Sequence, residues 1–302
     1  MENAPATRGH FQCTMKRKYF AFLAGFLLLL NVFVWKDVFV LAGSHSLLVN
    51  FLDVGQGDAV FIKTPEEHQI LIDGGPDSSA LAGLSSFIPS WDRTIDVVIL
   101  THPEKDHMQG LIDILQRYKA DYILWTGVKR TTPEYNAWLD VLSKQKSAGA
   151  KIIISEPGLR IKAGNVLINT LYPLENLESK QLKDSANDTS IVSYLIFGRN
   201  SFLFTGDIGA SVEKDIINSN LVGSLDVLKV SHHGSKYSTS ELFLKGVKPK
   251  IAVISASKTN PYGHPTPEVL QRLEKFGIQI KRTDQDGDVK ILSDGNNISI
   301  KK

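Results

Sequence analysis

The 302-residue chain has an ordinary globular composition, 42% hydrophobic and 22% charged, which excludes a wholly disordered protein. Its formal net charge is +2. From residue 44 onward, 29 basic and 30 acidic residues leave a net of −1, so the composition does not favour a broad surface for coating a polyanion. The single cysteine, Cys13, excludes an intrachain disulfide.

An apolar segment near the N-terminus predicts a membrane anchor. Tyr19–Trp35 is almost wholly apolar, with Asn31 as its only polar interruption, and about 20 such residues span a bilayer. Lys16–Lys18 precede it, which predicts a cytoplasmic N-terminus and an exported C-terminal domain. We expect a basic cytoplasmic tail over residues 1–18, a transmembrane signal-anchor over 19–43 and one domain over 46–302. A cleaved signal peptide, with a weak cleavage site at 40–42, and a buried core helix remain as alternatives.

Short β-rich runs then alternate with amphipathic helices. The helices are predicted over Asp106–Tyr118, Pro133–Ser147 and Thr266–Phe276, and Pro173–Asp184 is predicted to be a loop. Strands are predicted where Val, Ile, Leu and Phe cluster between Gly, Pro and Asp: Leu47–Asp53, Ala59–Lys63, Gln69–Asp73, Val97–Thr101, Val166–Leu171, Ser190–Phe197, Ser201–Thr205, Asp226–Val230 and Ile251–Ser255. Two groups of strands with interspersed helices predict two packed sheets covered by helices.

The strongest chemical signal is Thr101-His102-Pro103-Glu104-Lys105-Asp106-His107, which follows an apolar strand and precedes a helix. Two imidazoles and two carboxylates this close together suit a divalent cation such as Zn²⁺ or Mn²⁺. A solvated charged turn with incidental histidines is the alternative for this segment alone.

Three further fragments carry polar groups at the ends of apolar strands, where sheet-based folds present their sites. They are Ile72-Asp73-Gly74-Gly75, Phe204-Thr205-Gly206-Asp207 and Ser231-His232-His233-Gly234-Ser235. Another histidine, His264, stands in Gly263-His264-Pro265 after a further strand. Gly55-Gln56-Gly57-Asp58 lacks the glycine spacing and following lysine of a phosphate-binding loop, and it is predicted to be a tight hairpin turn.

Taken together, these motifs resemble the metallo-β-lactamase superfamily, and most closely the extracytoplasmic metallo-β-lactamase-like domain of the competence channel protein ComEC. The residues that carry the resemblance are FLDVGQGDA at 51–59, LIDGG at 71–75, the His-x-Glu-x-Asp-His segment at 102–107, TGD at 205–207, HHGS at 232–235 and GHP at 263–265. It implies an α/β fold, a four-layer αββα sandwich, here preceded by one N-terminal transmembrane helix.

The resemblance also implies roles for individual residues. His102 and Glu104 would bind one metal ion, with Asp207 bridging to a second ion held by Asp106, His107 and His233. Whether His232 or His233 is the ligand stays open, because adjacent strand residues point to opposite faces. Residues with implied catalytic roles are Asp106, His232, His264 and Asp73, the last of these orienting a ligand histidine; those with implied substrate contacts are Asn187, Ser190 and Ser235.

Two departures from the family pattern bear on the metal. Glu104 stands where most of the superfamily has histidine and the ComEC group usually has aspartate, which favours Mn²⁺ more than an all-histidine site would. Asn187–Ser190 occupies the region of a third-motif histidine, so the first ion is expected to be loosely held. We therefore expect one or two divalent ions, Zn²⁺ or Mn²⁺.

The expected activity is that of a metal-dependent hydrolase, specifically a phosphodiesterase or nuclease of ComEC type linked to DNA uptake. The alternatives are a hydrolase of another exported ester (phosphorylcholine, a cell-wall phosphodiester or a lactam) and a non-catalytic metal-binding domain. The expected partners are a phosphodiester substrate, which could be DNA, and the membrane; the oligomeric state is left open. Tyr237 and Tyr262 would stack a base or close the cleft, and five lysines would steer a phosphate: Lys229, Lys236, Lys245, Lys248 and Lys250.

Overall fold

The computed structural model describes residues 10–42, 46–182 and 184–301, without the side chains of 10–17 and 36–42. The chain divides between residues 44 and 45 into two compact units. In the first unit, helix α1 (His10–Ala42) contains a stretch, Lys18–Trp35, that is long and apolar enough to cross a membrane. Helices of this kind near an N-terminus also include signal sequences. Of the predicted tail and anchor, residues 1–9 and residue 43 lie outside the described residues.

The second unit consists of strands and helices in alternation. Its helices are α2 (Ser79–Leu84), α3 (Lys105–Leu115), α4 (Pro133–Ser147), α5 (Ala210–Asn218), α6 (Glu241–Val247), α7 (Pro267–Lys275) and the short α8 (Thr283–Asp286). Its strands are β1 (Leu47–Phe51), β2 (Val60–Lys63), β3 (Gln69–Ile72), β4 (Thr94–Ile99), β5 (Lys119–Trp125), β6 (Lys151–Ile154), β7 (Arg160–Ala163), β8 (Val166–Tyr172), β9 (Val192–Phe197), β10 (Asn200–Phe204), β11 (Val227–Lys229), β12 (Ile251–Ile254), β13 (Gln279–Arg282), β14 (Val289–Ser293) and β15 (Ile298–Lys301).

The strands form two mixed sheets. The first has the order β15-β14-β1-β2-β3-β4-β5-β6, and β3 to β6 run parallel to one another. The second has the order β13-β12-β11-β10-β9-β8-β7, and β10 to β13 run parallel. In parallel strands the carboxyl ends meet at one edge, so each sheet gathers the loops that follow its parallel strands.

Three apolar clusters show that the unit has four layers. One cluster lies between the two sheets and includes Phe51, Phe202 and Val253. A second packs the first sheet against α2, α3 and α4, with Trp138 fully buried in it. A third packs the second sheet against α5, α6 and α7. The order helix, sheet, sheet, helix confirms the predicted αββα architecture.

The Gly55–Asp58 segment differs from its prediction. It is not a tight hairpin turn, because the connection between β1 and β2 extends over residues 52–59. Asp58 donates its backbone N–H to the carbonyl of Asp106, and a Cβ on Gly57 would lie 2.3 Å from that same oxygen. The longer connection therefore packs directly against the first turn of α3.

Helix α3 approaches the turn after β3 closely enough to require glycine. An added Cβ at Gly110 would lie 1.8 Å from the carbonyl oxygen of Gly74, and one at Gly74 would lie 2.3 Å from the backbone nitrogen of Leu111. This contact sets the distance between Asp73 and the residues at the start of α3, and it explains the first glycine of the LIDGG pair; the second, Gly75, has a φ of 77° and packs against Val54.

We expect Gly110→Ala to lower the free energy of unfolding by about 2–3 kcal/mol, because forced overpacking outweighs the roughly 1 kcal/mol by which alanine favours a helix. Urea unfolding followed by tryptophan fluorescence measures this. Gly223→Ala is the matched control, since its Cβ meets nothing within 4 Å and should change stability by less than about 0.5 kcal/mol. Equal effects at the two positions would contradict the packing argument.

Candidate metal centre and active site

Loops that follow parallel strands of the two sheets supply the polar groups. Asp73 follows β3, and the His102–His107 segment follows β4 and enters α3. Asp207 follows β10, and His232 and His233 follow β11 in a short 3₁₀ turn. Because both sheets contribute loops, the site lies where the carboxyl ends of the two sets of parallel strands converge.

The centre of the site is a cluster of four side chains: Asp106, His107, Asp207 and His233, whose potential ligand atoms all lie within 4.8 Å of one another. Oδ2 of Asp207 is 3.4 Å from Nε2 of His107 and 3.5 Å from Nε2 of His233. Both nitrogens are buried and lack a hydrogen-bond partner. Two orphaned imidazole nitrogens facing two carboxylates match the donor set of Zn²⁺ or Mn²⁺.

Outer hydrogen bonds orient both histidines of the cluster. Nδ1 of His107 is 2.8 Å from Oδ2 of Asp73, and Asp73 also accepts hydrogen bonds from the backbone N–H and hydroxyl of Thr101. Nδ1 of His233 lies 3.0 Å from the carbonyl oxygen of Ser255. With Nδ1 engaged, each ring directs Nε2 into the cluster, as in metal-ligating histidines.

The buried carboxylates of the cluster favour a positive charge beside them. Burial acts to lower the pKa of His107, but the carboxylates of Asp207, Asp73 and Asp106 raise it well above its usual value. Burial likewise acts to raise the pKa of Asp207, and the neighbouring His233 and His107 hold it well below its usual value. A divalent cation would satisfy the same carboxylates, so the residues present fit a metal ion.

His233, rather than His232, belongs to the cluster. Both residues have left-handed backbone angles, φ 49° and 53°, so they do not alternate as strand neighbours do. Nε2 of His232 lies 3.9 Å from Oδ2 of Asp207 and 3.2 Å from Nδ2 of Asn187. Burial lowers the pKa of His232, so its ring is neutral at pH 7.

Beside the cluster lies a cavity of about 340 Å³, lined among others by Asp106, Asp207, His232, His233, Tyr262 and His264. The His264 ring packs edge-to-face on His232, and Tyr262 stacks on His264, with centroids 5.6 and 5.9 Å apart. Burial and the adjacent His232 lower the pKa of His264. The cavity therefore has a charged floor at the cluster and a neutral imidazole and aromatic wall.

The three residues predicted to contact substrate lie in different surroundings. Asn187 lines the cavity. The hydroxyl of Ser190 donates to the carbonyl of Asn187 and accepts from the backbone N–H of Asp207, so Ser190 joins the segment before β9 to the cluster. Ser235 is buried within the turn that carries His233 and is not among the residues that line the cavity.

His102 and Glu104 lie outside the four-residue cluster. Burial and the adjacent His107 lower the pKa of His102 to about 3, and its buried Nε2 has no hydrogen-bond partner. Oε1 of Glu104 accepts from the backbone N–H of Ala186 at 2.7 Å and lies 3.0 Å from Nη2 of Arg130. Arg130 lines the cavity, although its position in the sequence carries no motif that points to a site.

Sequence reasoning also missed a buried ion pair beneath the cluster. The Lys229 side chain is 2% exposed and forms a close ion pair with Asp58, and its Nζ is 3.9 Å from Oδ1 of Asp207. Asp58 in turn lies 3.5 Å from Nδ1 of His233. The prediction that Lys229 would steer a phosphate is therefore wrong, because its side chain is buried and paired with Asp58. A lysine at the end of the otherwise apolar strand β11, directly before Val230, was the available signal.

We expect Lys229→Met to lower the free energy of unfolding by about 3–5 kcal/mol, because it leaves Asp58 buried without its partner. Urea unfolding of the purified chain measures the loss. The matched control is Lys250→Met, whose lysine also pairs with an aspartate, Asp226, but has a 76% exposed side chain. That change should stay below about 1 kcal/mol, and a comparable loss in both variants would disprove the role of burial.

The comparisons with known proteins agree on the family and the fold. A family model described as "Metallo-beta-lactamase superfamily" matches residues 52–258. ComE operon protein 3 of Bacillus subtilis is 32% identical over 261 residues, covering 80% of this chain and 32% of that protein. Competence protein ComA of Neisseria gonorrhoeae is 30% identical over 250 residues, covering 80% and 32%. The chain thus spans about a third of the length of these relatives.

Among solved structures, Igni18, described as a novel metallo hydrolase from the archaeon Ignicoccus hospitalis, has a similar fold. Its TM-score is 0.53 at 17% identity, and the match covers 80% of this chain and 98% of that one. At this identity the similarity shows the fold alone.

Proposed function

The chain belongs to the metallo-β-lactamase superfamily, whose members are generally metal-dependent hydrolases, and it is related to competence proteins; from this premise we propose that it is a metal-dependent phosphodiesterase that cleaves DNA. The observation that carries the proposal is the pair of buried, unpartnered imidazole nitrogens of His107 and His233, which face the carboxylates of Asp106 and Asp207 beside an open cavity.

In this proposal Asp106, His107, Asp207 and His233 hold a divalent cation, Zn²⁺ or Mn²⁺. A cation bound there would supply Lewis acidity, both toward a water molecule and toward the oxygens of a phosphoryl group. Asp73 keeps the His107 ring in the orientation that directs Nε2 at the cation position.

The chain's own residues would then bind and orient the ester. Asp106 is 36% exposed at the cavity, and although burial acts to raise its pKa, His107 and His233 hold that pKa well below the usual value. With a cation in place of the imidazole charges it would likewise remain a carboxylate, able to accept a hydrogen bond from an attacking water. His232, fixed by Asn187, and His264 line the cavity as neutral imidazoles able to hydrogen-bond a phosphoryl or leaving oxygen.

Two observations favour nucleic acid among phosphodiesters. One of the relatives, ComA of Neisseria gonorrhoeae, is a competence protein. In addition, the Tyr262 ring is 68% exposed and stacks on His264 beside the cavity, which leaves an aromatic surface on which a base can stack for about 1–3 kcal/mol.

The test is cleavage of single- and double-stranded DNA, beside bis-p-nitrophenyl phosphate, by the full-length chain in detergent with Mn²⁺ or Zn²⁺. We expect His107→Ala to lower the rate by more than about 100-fold, because even the outer partners of metal ligands typically contribute 10–100-fold. His68→Ala is the matched control: His68 pairs with Asp96 outside the cluster, and its loss should leave the rate within about twofold of the parent.

Each outcome decides a different part of the proposal. Cleavage of the small diester but not of DNA would keep the phosphodiesterase and reject the nucleic-acid substrate. Turnover of a phosphorylcholine ester alone, which is also a phosphodiester, would likewise reject only the nucleic-acid substrate, whereas turnover of a lactam alone would reject both. An equal rate in the His107→Ala and parent proteins would reject the cluster as the site of chemistry.

We further propose that α1 anchors the domain on the outer face of the cytoplasmic membrane. Cys13, the only cysteine, should then react with a membrane-impermeant maleimide only after cells are permeabilised. In a Cys13→Ser background, Ser147→Cys, at an exposed position of α4, should react in intact cells. The reverse pattern would invert the topology, and a mature chain that lacks Cys13 would show that the segment is a cleaved signal peptide.

A further inference from the structure

Two fixed cationic side chains contact the groups that a second metal ion would need. A second ion in the manner implied by the sequence resemblance would draw on His102, Glu104 and Asp207. In the described part of the chain, the candidate metal clusters do not include His102 or Glu104. The reason lies in the partners that Glu104 and Asp207 already have.

Glu104 is engaged by Arg130. Nη2 of Arg130 is 3.0 Å from Oε1 of Glu104, and Nη1 donates to the carbonyl of Leu182 at 3.3 Å. The same Glu104 oxygen accepts from the backbone N–H of Ala186. The Arg130 side chain is 9% exposed, and a guanidinium cannot be deprotonated in a protein. A permanent, largely buried positive charge therefore already neutralises this carboxylate.

Asp207 divides its two oxygens between different partners. Oδ2 faces the imidazoles of His107 and His233. Oδ1 is directed toward the buried ammonium of Lys229, 3.9 Å away, and has no hydrogen-bond partner. A carboxylate that bridged two ions would need positive charge on both sides, and on the Oδ1 side the nearest positive charge is that of Lys229.

Nδ1 of His102 is engaged as it is in His107 and His233, which leaves Nε2 of His102 available, but Ser190 stands where a third-motif histidine would join it. Both the Thr101 hydroxyl and the Ser190 hydroxyl lie close to Nδ1 of His102, at 3.0 and 3.1 Å. Ser190 is the last residue of the segment that stands in the place of a third-motif histidine, and its hydroxyl also accepts from the backbone N–H of Asp207. A hydroxyl that joins the two segments thus stands where an additional imidazole ligand was expected.

We propose that the centre binds a single divalent cation, at Asp106, His107, Asp207 and His233, and that Arg130 and Lys229 supply the positive charge of a second ion. This rests on the proposed function in its assumption of a metal centre. Arg130 lines the cavity, so its charge acts on an anion bound there, as arginine does in many phosphate sites. Lys229 stabilises the buried carboxylates of Asp58 and Asp207.

The experiment counts bound ions rather than turnover. The metal-free, full-length chain in detergent is titrated with Zn²⁺ alone by calorimetry, and bound zinc is measured by plasma mass spectrometry after gel filtration. We expect about one ion per chain. Glu104→Gln retains an oxygen that can accept both hydrogen bonds, and it should keep that stoichiometry with the Kd changed by less than about threefold.

A second variant tests Arg130 directly. Arg130→Met removes the positive charge paired with Glu104, which frees that carboxylate for an ion that also uses the orphaned Nε2 of His102, and we expect the stoichiometry to rise toward about two ions. Lys129→Met, at an exposed neighbouring position, is the matched control and should bind as the parent does. An unchanged count in Arg130→Met would overturn the role given to Arg130.

Other results separate this inference from the proposed function. About two ions bound to the parent chain, or an ion lost or bound more than about tenfold more weakly in Glu104→Gln, would overturn the single-ion centre while leaving DNA cleavage intact. If the parent chain binds no zinc, both the inference and the proposed metal-dependent activity are overturned.

Discussion

The burial of unlike charges in one small volume is the constraint on which the site depends. Asp58, Asp73 and Asp207 are almost fully buried, and an isolated carboxylate in such surroundings would be strongly destabilising. Each has a compensating partner: Lys229 for Asp58, His107 and Thr101 for Asp73, and the two cluster imidazoles for Asp207. The elevated pKa of His107 and the depressed pKa of Asp207 are two expressions of that same compensation. A cation bound at the cluster would complete it.

The sandwich makes this arrangement possible because each layer fixes a different member. The first sheet and the glycine contact between α3 and the Asp73 turn fix the spacing of Asp73, Asp106 and His107. The second sheet fixes Asp207 and His233 at the ends of two adjacent parallel strands. Ser190 joins the two halves, since its hydroxyl contacts His102 from the first sheet and the backbone of Asp207 from the second. Rigid strands and close backbone contacts, rather than flexible loops, therefore hold the potential ligand atoms together.

The sequence predicted the class of fold and the positions of the motifs, because apolar runs with glycine and acidic ends are local signals. Among the strands that it missed is β5: Tyr118 just before it and Trp125 at its end are buried, but the exposed residues of Lys119–Tyr122 break the apolar pattern. It also missed Arg130 and misread Lys229 as a surface lysine. The roles of both side chains depend on ion pairs with residues far away in the sequence, Glu104 and Asp58. A pairing over that distance produces no periodic pattern in the sequence. The prediction of a tight hairpin turn at Gly55–Asp58 was wrong for a related reason, because the partner of Asp58, Lys229, lies on the other sheet.

A fixed cation and a metal ion differ in what they permit. An arginine or lysine charge is always present, so it stabilises the folded chain whether or not an ion is bound, and it cannot exchange or be displaced by chelators. It offers no open coordination position, however, and so cannot bind a water and a phosphoryl oxygen together as an ion can. A centre with one exchangeable cation and two fixed ones would therefore separate two tasks. The cation at Asp106, His107, Asp207 and His233 would activate the reacting groups, and Arg130 and Lys229 would balance charge. The close contacts of Lys229 beneath the cluster and of Arg130 at the cavity wall fit that division.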